Sequence, residues 1–255
     1  MHLPEIDKYS NLNSFFHSWD PRVKIISFSI LIIVIALLPN ITPAAIAFLM
    51  ASVLLILSKI PVIFVLKQLR WVFFIIFFFL IVMPFTVPGD AMLRLGLLTA
   101  SQKGFDLAVL IALRAVSMVI IIFPMFGTSE FHRSLKALQK LKVPNKIIQM
   151  IMFAYRYIFV FLEMLSRMLT AARARLFNRR TDMFTLRTIG NLTGMLFVRG
   201  YEKTERIYQA MQSRGYTGSL SIQDEFRLTG KDFAKAFLII GMSVLLNITG
   251  ICLCP

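Results

Sequence analysis

The side chains with the greatest capacity for chemistry in this sequence are arginines at the ends of two long segments. One segment begins near Lys146 and ends in a cluster of arginines at positions 167, 173, 175, 179 and 180. The other ends at Arg214, and Gly215 follows it as the residue type that a helix C-cap favours. A guanidinium binds a carboxylate or a phosphate through two parallel hydrogen bonds. These arginines therefore predict docking to an anionic lipid surface or to a protein partner, and both alternatives remain open at this point.

Catalytic motifs are absent from the sequence. Gly230-Lys231 is followed by Asp232 and lacks the upstream glycine of a phosphate-binding P-loop. No Gly-x-Ser-x-Gly nucleophile motif is present. We therefore expect no catalytic residue and no cofactor in this chain.

The potential metal ligands show no metal-binding spacing. The three histidines are His2, His17 and His132, which lie far apart. Cys252 and Cys254 are separated by one residue, which is a poor geometry for a disulfide. We predict no metal site, although the spacing alone leaves a metal role for His2 or for the two cysteines open.

The composition indicates a membrane protein. Hydrophobic residues make up 57% of the 255 residues and charged residues only 16%, whereas soluble domains have about 25% charged residues. The net charge of +15 is typical of basic segments on the cytoplasmic side of a membrane, so we expect no nucleic-acid partner.

Five apolar stretches are candidate membrane spans, which predicts an all-α polytopic protein with about five transmembrane helices. They are residues 25–38, 44–57, 71–87, 106–126 and 233–253. A loop of about 18 residues separates the third from the fourth. Arg22 and Lys24 at one end of the first hairpin, and Lys59 at the other, are expected to reach the interface. Whether the apolar residues 147–165 also span the bilayer remains open.

Residues 129–232 form a basic block, with 18 Lys and Arg against 8 Asp and Glu. This charge predicts that the block and the N-terminus are cytoplasmic. Apolar periodicity predicts a short interfacial helix over 130–141, with Thr128 and Ser129 at its cap. Two long amphipathic helices are predicted over 146–177 and 188–213. The predicted organisation is thus 1–128 transmembrane, 129–232 cytoplasmic or interfacial, and 233–255 transmembrane.

These features resemble the transmembrane coupling (T) subunit of energy-coupling factor (ECF) transporters, in particular the cobalt- and nickel-type, CbiQ-like branch. Two arginine motifs carry the resemblance, Ala174-Arg175-Leu176 and Ser213-Arg214-Gly215, whose arginines are 39 residues apart. The family pattern is Ala-Arg-Gly or a close variant, so Leu176 departs from it, and Arg173 is an alternative to Arg175. The sequences Asp20-Pro21-Arg22 and Ile6-Asp7-Lys8-Tyr9 are also similar to the opening of family members.

The resemblance implies a non-catalytic subunit of an importer for cobalt or nickel ions, connected with cobalamin biosynthesis, in the multi-pass cell membrane of a prokaryote. The six motif residues would contact two cytoplasmic ATPase subunits, which use the ATP. The two long helices would transmit ATPase motion to a separate substrate-binding membrane subunit, and membrane lipid would surround the chain.

Besides an autonomous carrier, which the scarcity of ionisable residues in the apolar stretches disfavours, two alternatives compete with this interpretation. The first is a shared T subunit for vitamin uptake. The second is a membrane enzyme that acts on an anionic lipid and uses the basic block as its phosphate site. The enzyme would require acidic metal-ligand clusters such as Asp-x-x-Asp, and the sequence contains none.

Overall fold

The structure is a computed structural model that describes residues 16, 19–88, 91–95, 98–178, 180–218 and 230–252. Helices dominate it, so the predicted all-α class is confirmed. In chain order, the elements are α1 Pro21–Leu37, α2 Ile41–Leu57, α3 Val62–Thr86, β1 Ala91–Leu95, β2 Leu98–Ser101, α4 Gln102–Phe126, α5 Phe131–Lys140, α6 Asn145–Ala174, α7 Met183–Ser213 and α8 Gly230–Cys252.

Several helices are long and apolar enough to cross a bilayer, as expected of a polytopic membrane protein. Among the described residues, four meet this criterion: α3, α4, α6 and the Asp232–Gly250 part of α8. Helix α2 is apolar but shorter. Its 17 residues rise about 25 Å, compared with about 30 Å for the hydrocarbon core.

The predicted starts of α3 and α4 differ from the observed ones. Helix α3 begins at Val62, nine residues before the predicted start at Trp71, because charged side chains such as Lys67 do not interrupt backbone hydrogen bonding. Helix α4 begins at Gln102 instead of Asp106, because the Ser101 hydroxyl caps it by accepting from the Gly104 N–H at 3.4 Å.

The segment predicted as a loop between α3 and α4 contains a short antiparallel ladder. Strands β1 and β2 pair Leu95 with Leu98 and Ala91 with Ser101. Such a hairpin satisfies backbone hydrogen-bond groups that an open loop would leave to water.

The structure divides into two compact units, and the second comprises the described residues from Leu138 to Gly218. The first comprises the described residues before Leu138 together with α8. In the first unit, α4 packs against α1, α2 and α3, and α8 packs against α1 and α2. The predicted boundaries at 128 and 232, which concern the membrane surface, remain predictions.

Lys24 joins the start of α1 to the end of α4 within the first unit. Its side chain is completely buried, and its ammonium donates to Ser129 Oγ at 2.8 Å and to Thr128 Oγ1. The Thr128 hydroxyl in turn donates to the Pro124 carbonyl at 2.8 Å. The cation therefore lies at the C-terminal end of α4, where the helix dipole favours positive charge. Lys24 thus points into the protein and not toward the interface as predicted.

The second unit consists mainly of α6 and α7, which run antiparallel. The start of α6 is joined to the segment after α7 by a hydrogen bond from the Tyr216 hydroxyl to Gln149 Oε1 at 2.9 Å. Farther along, Gly200 of α7 faces the Phe161 ring of α6. A Cβ at Gly200 would lie 3.2 Å from Phe161 Cε1, so the absence of a side chain allows the two helices to approach closely.

A substitution at this close approach should reduce stability. We expect Gly200→Leu to lower the free energy of unfolding by about 1–3 kcal/mol, because the new side chain overpacks against Phe161. Gly194→Leu is the matched control, since nothing lies within 4 Å of its Cβ position. The control should gain about 0.8 kcal/mol of helix propensity. Thermal unfolding of both variants in detergent tests this, and equal unfolding midpoints would contradict the close approach.

Candidate functional site

Helix α6 ends in a backbone motif that fixes the position of Arg175. This arginine is the C-cap residue, and Leu176 follows it with a positive φ of 65°. The Leu176 N–H donates to the Arg173 carbonyl at 3.0 Å, and the Phe177 N–H donates to the Ala172 carbonyl at 3.2 Å. These two bonds define a Schellman motif, which satisfies carbonyls that the helix end would otherwise leave unpaired.

Helix α7 ends in the same motif. Arg214 is its C-cap residue, and Gly215 follows with a φ of 80°. The Gly215 N–H donates to the Gln212 carbonyl at 2.9 Å, and the Tyr216 N–H donates to the Met211 carbonyl at 3.0 Å. Both predicted motifs are therefore helix terminations in which an arginine immediately precedes a left-handed residue.

The equivalence of the two caps favours Arg175 over Arg173 as the first motif arginine. Arg175 and Arg214 occupy the same C-cap position, whereas Arg173 lies within the last turn of α6. All three side chains are exposed. Within the described residues, neither C-cap arginine forms an ion pair, so both guanidinium groups are available to an external partner. Their role in contacting an ATPase remains a prediction.

The remaining motif residues lie beside the arginines, on the surface. Ala174 and Ser213 are the last residues of α6 and α7 and are exposed. Leu176 is 92% exposed, although it is apolar and has a left-handed backbone. Left-handed backbone costs a residue with a Cβ roughly 1–2 kcal/mol, which explains physically why glycine suits this position.

The two arginine caps lie at opposite ends of the second unit. Because α6 and α7 are antiparallel, Arg214 is near the start of α6, and Arg175 is near the start of α7. A helix of 31 residues such as α7 is about 46 Å long. The structure therefore does not join the two arginines into one site but presents two separate, equivalent sites.

Hydrogen bonds fix the backbone at the start of α7, shortly after the first arginine cap. Asp182 is the N-cap residue, and its Oδ1 accepts from the Thr185 N–H at 3.0 Å. The Thr185 hydroxyl accepts from the Arg180 N–H at 3.3 Å. Hydrogen bonds from the Thr185 side chain and backbone hold the pKa of Asp182 below its usual value. The cap is therefore fully formed at neutral pH and is lost only as acidification passes this lowered pKa.

An apolar groove lies between α6 and α7 beside the second cap. Its volume is about 390 Å³. Its lining residues are Phe153, Ala154, Tyr157, Phe161, Lys203, Thr204, Ile207, Tyr208, Met211 and Tyr216. Thr204, Tyr208 and Met211 share the face of α7 that lines the groove, whereas Tyr201 is 73% exposed and does not line it.

Sequence reasoning missed the anchor of the second cap. Gln149 is buried, and its hydrogen bond with Tyr216 fixes the residue two positions after Arg214. The available signal was a glutamine in a largely apolar half of a predicted helix, which indicates a buried polar contact but not its partner.

The residues for which a metal role was left open mostly lie outside the described residues. His2 and Cys254 are among the undescribed positions, and Cys252 is the last residue of α8. Within the residues that the structure describes, no group of three or more metal-binding side chains occurs.

Comparison with known proteins places this chain among membrane transport proteins. Residues 12–224 match the CbiQ family, described as "Cobalt transport protein". The energy-coupling factor transporter transmembrane protein EcfT of Bacillus subtilis is 27% identical over 254 residues, which cover 94% of this chain and 96% of the relative. EcfT of Ruminiclostridium cellulolyticum is 28% identical over 84% of each chain. An uncharacterized protein of Methanocaldococcus jannaschii is 29% identical over 94% of this chain and 84% of its own length.

The left-handed residues in the two caps yield a pair of opposite predictions. Leu176→Gly should raise the free energy of unfolding by about 1 kcal/mol, because it relieves the left-handed strain. Gly215→Ala should lower it by a similar amount for the converse reason. Thermal unfolding in detergent measures both. Leu176→Ala is the control, because it removes the exposed side chain but keeps the Cβ; stabilisation by this variant equal to that of Leu176→Gly would contradict the strain argument.

Proposed function

The chain belongs to the CbiQ family of cobalt transport proteins, and on this basis we propose that it is the non-catalytic coupling subunit of an ECF-type importer that transmits ATPase motion to a separate substrate-binding membrane subunit. Its relatives are transporter transmembrane proteins and not catalytic enzymes. This disfavours the alternative of a membrane enzyme acting on an anionic lipid. ATP would be bound and used by the partner ATPases.

The observation that carries the proposal is the presence of two equivalent arginine caps at opposite ends of an antiparallel helix pair. Each exposed guanidinium can donate several hydrogen bonds in one plane to carboxylates or carbonyls of a partner. Two like sites about 46 Å of helix apart suit two copies of a partner better than one. Each ATPase subunit would therefore receive one arginine, Arg175 or Arg214.

The proposed cargo is the cobalt ion, with nickel as the close alternative. The family description and the similarity of Ile6-Asp7-Lys8-Tyr9 to the cobalt-type branch support this choice. The relatives named as energy-coupling factor proteins support a second candidate, a shared T subunit that serves vitamin uptake.

The proposed location is the plasma membrane of a prokaryote, with a cytoplasmic N-terminus. The basic excess in residues 129–232 supports this orientation. Both arginine caps lie within that block, so the orientation puts them on the side where ATP is available. Helix α6 is long and apolar enough to span. Because Arg214 lies near the start of α6 and Arg175 at its end, a cytoplasmic location of both caps requires α6 to lie along the membrane interface.

Charge reversal at the two caps tests the coupling role. The chain would be co-expressed with the ATPases encoded in the same genome and purified in detergent. We expect Arg175→Glu and Arg214→Glu each to reduce ATPase co-purification about tenfold, and the double variant to abolish it, because each change removes charge-assisted hydrogen bonds to one ATPase.

Two further variants make this test specific. Arg173→Glu examines the alternative motif arginine, and Arg199→Glu changes an exposed arginine near the middle of α7, away from both caps. Both should retain the ATPases. Complete retention in the Arg175 and Arg214 double variant would refute the coupling proposal, and loss in Arg173→Glu instead would reassign the first contact.

Uptake by cells tests the cargo. Cells without their own cobalt uptake would express this chain with its ATPases and a candidate substrate-binding subunit, and accumulation of radiolabelled cobalt would be measured. We expect uptake that the double arginine variant abolishes and that excess nickel competes for. Uptake of a labelled vitamin in place of cobalt, with the same dependence on the arginines, would support the shared T subunit.

A further inference from the structure

One face of α4 presents a regular stripe of side chains that the first unit leaves partly uncovered. Its members are Leu107, Ile111, Arg114, Met118 and Ile122. They recur at intervals of three or four residues, so they lie within about a quarter of the helix circumference. Leu107 and Ile122 at the ends are 40% and 43% exposed, and the three between them are half-buried. This spacing is the one by which a helix packs against a neighbouring helix.

Arg114 lies at the centre of this stripe and at the centre of the helix. Helix α4 runs from Gln102 to Phe126, so Arg114 is about 18 Å from either end. The bilayer half-thickness is about 15 Å. The guanidinium is therefore near the middle of the hydrocarbon layer, and the distance to either surface exceeds the length of an arginine side chain.

Within the part of the chain that the structure describes, Arg114 has no partner. Its Nε atom is buried without a hydrogen bond. Glu163 of α6, an acid within an apolar stretch, pairs with Arg167 at 2.5 Å. Asp20 pairs with Arg22 at 3.1 Å. An unpaired arginine at this depth costs several kcal/mol and in membrane proteins is normally compensated within a protein bundle.

We propose that the α4 stripe docks a transmembrane helix of the substrate-binding membrane subunit, and that a carboxylate in the middle of that helix pairs with Arg114. Charge complementarity selects the occupant, because an anion is required at a depth that lipid phosphates do not reach. The apolar stripe members pack on either side of the ion pair and exclude lipid from it. The identity of the partner rests on the proposed function, whereas the required chemistry rests on α4 alone.

A synthetic helix tests this chemistry directly. The probe is a leucine–alanine peptide of about 20 residues with one central aspartate, and its matched control has leucine at that position. Each would be incorporated with the purified full-length chain into phosphatidylcholine nanodiscs, and association would be measured by energy transfer between fluorophores. We expect the aspartate peptide to bind wild-type protein at least about fivefold more tightly than the leucine peptide.

Variants of the chain identify the residue responsible. Arg114→Leu should eliminate the preference for aspartate, and Arg114→Lys should retain part of it, because the lysine keeps the charge. Arg156→Leu, which removes the other arginine in an apolar stretch, should leave the preference unchanged. Equal binding of the two peptides to wild type would overturn the proposal. A preference that survives Arg114→Leu but disappears in Arg156→Leu would also overturn it.

Two further measurements distinguish the proposed transmembrane helix from other occupants of the α4 stripe. If phosphatidylglycerol nanodiscs abolish the aspartate preference, an anionic lipid headgroup is the partner and the proposal fails. In the assembled complex, Arg114→Leu should reduce co-purification of the substrate-binding subunit but not of the ATPases. The peptide assay contains neither partner subunit. A negative peptide result would therefore not contradict the proposed ATPase contacts of Arg175 and Arg214. Likewise, a failure of the ATPase test would not contradict a positive peptide result.

Discussion

The last carbonyls of a helix have no partners within the helix, and the way this chain satisfies them determines where its two exposed arginines lie. At the end of each of these two helices, one residue with positive φ turns the backbone so that its own N–H and the N–H of the next residue donate back to helix carbonyls. The arginine before it then occupies the helix terminus, outside the helix body. Positive charge is favourable there because it opposes the helix dipole. One backbone constraint thus terminates α6 and α7 and presents Arg175 and Arg214 in equivalent settings.

In the interior of the first unit, a positive charge likewise lies at the C-terminal end of a helix. Lys24 enters a buried position at the end of α4, where hydroxyl oxygens and the helix terminus stabilise its charge. Without these acceptors a buried ammonium would be strongly unfavourable. The contact joins residues 104 positions apart and holds the start of α1 against the end of α4. Arg114 in the same helix is half-buried and lacks such acceptors among the described residues, which is why the two cations have different interpretations.

Much of this architecture could be predicted from the sequence, since long apolar runs and basic segments depend on local composition. The ends of α6 and α7 were approximated within five residues, and both arginine motifs were located. Lys24 could not be predicted, because its acceptors follow a helix far along the chain. That Arg175, and not Arg173, is the C-cap residue of α6 could not be read from the sequence, since it depends on backbone φ angles. The β1–β2 ladder was missed because its strands are too short to show alternation.

The close approach of Gly200 to Phe161 is equally far along the chain from the two arginine caps. Gly200 precedes Arg214 by 14 residues, and Phe161 precedes Arg175 by 14 residues. Each arginine is therefore about 21 Å from the crossing, so the two helix ends extend equally far from it. A 1 Å displacement of either tip corresponds to a rotation of about 3° at this radius. Equal forces on the two helix ends would exert equal torques about the crossing. Two identical partners related by twofold symmetry would therefore act equally on the two helices.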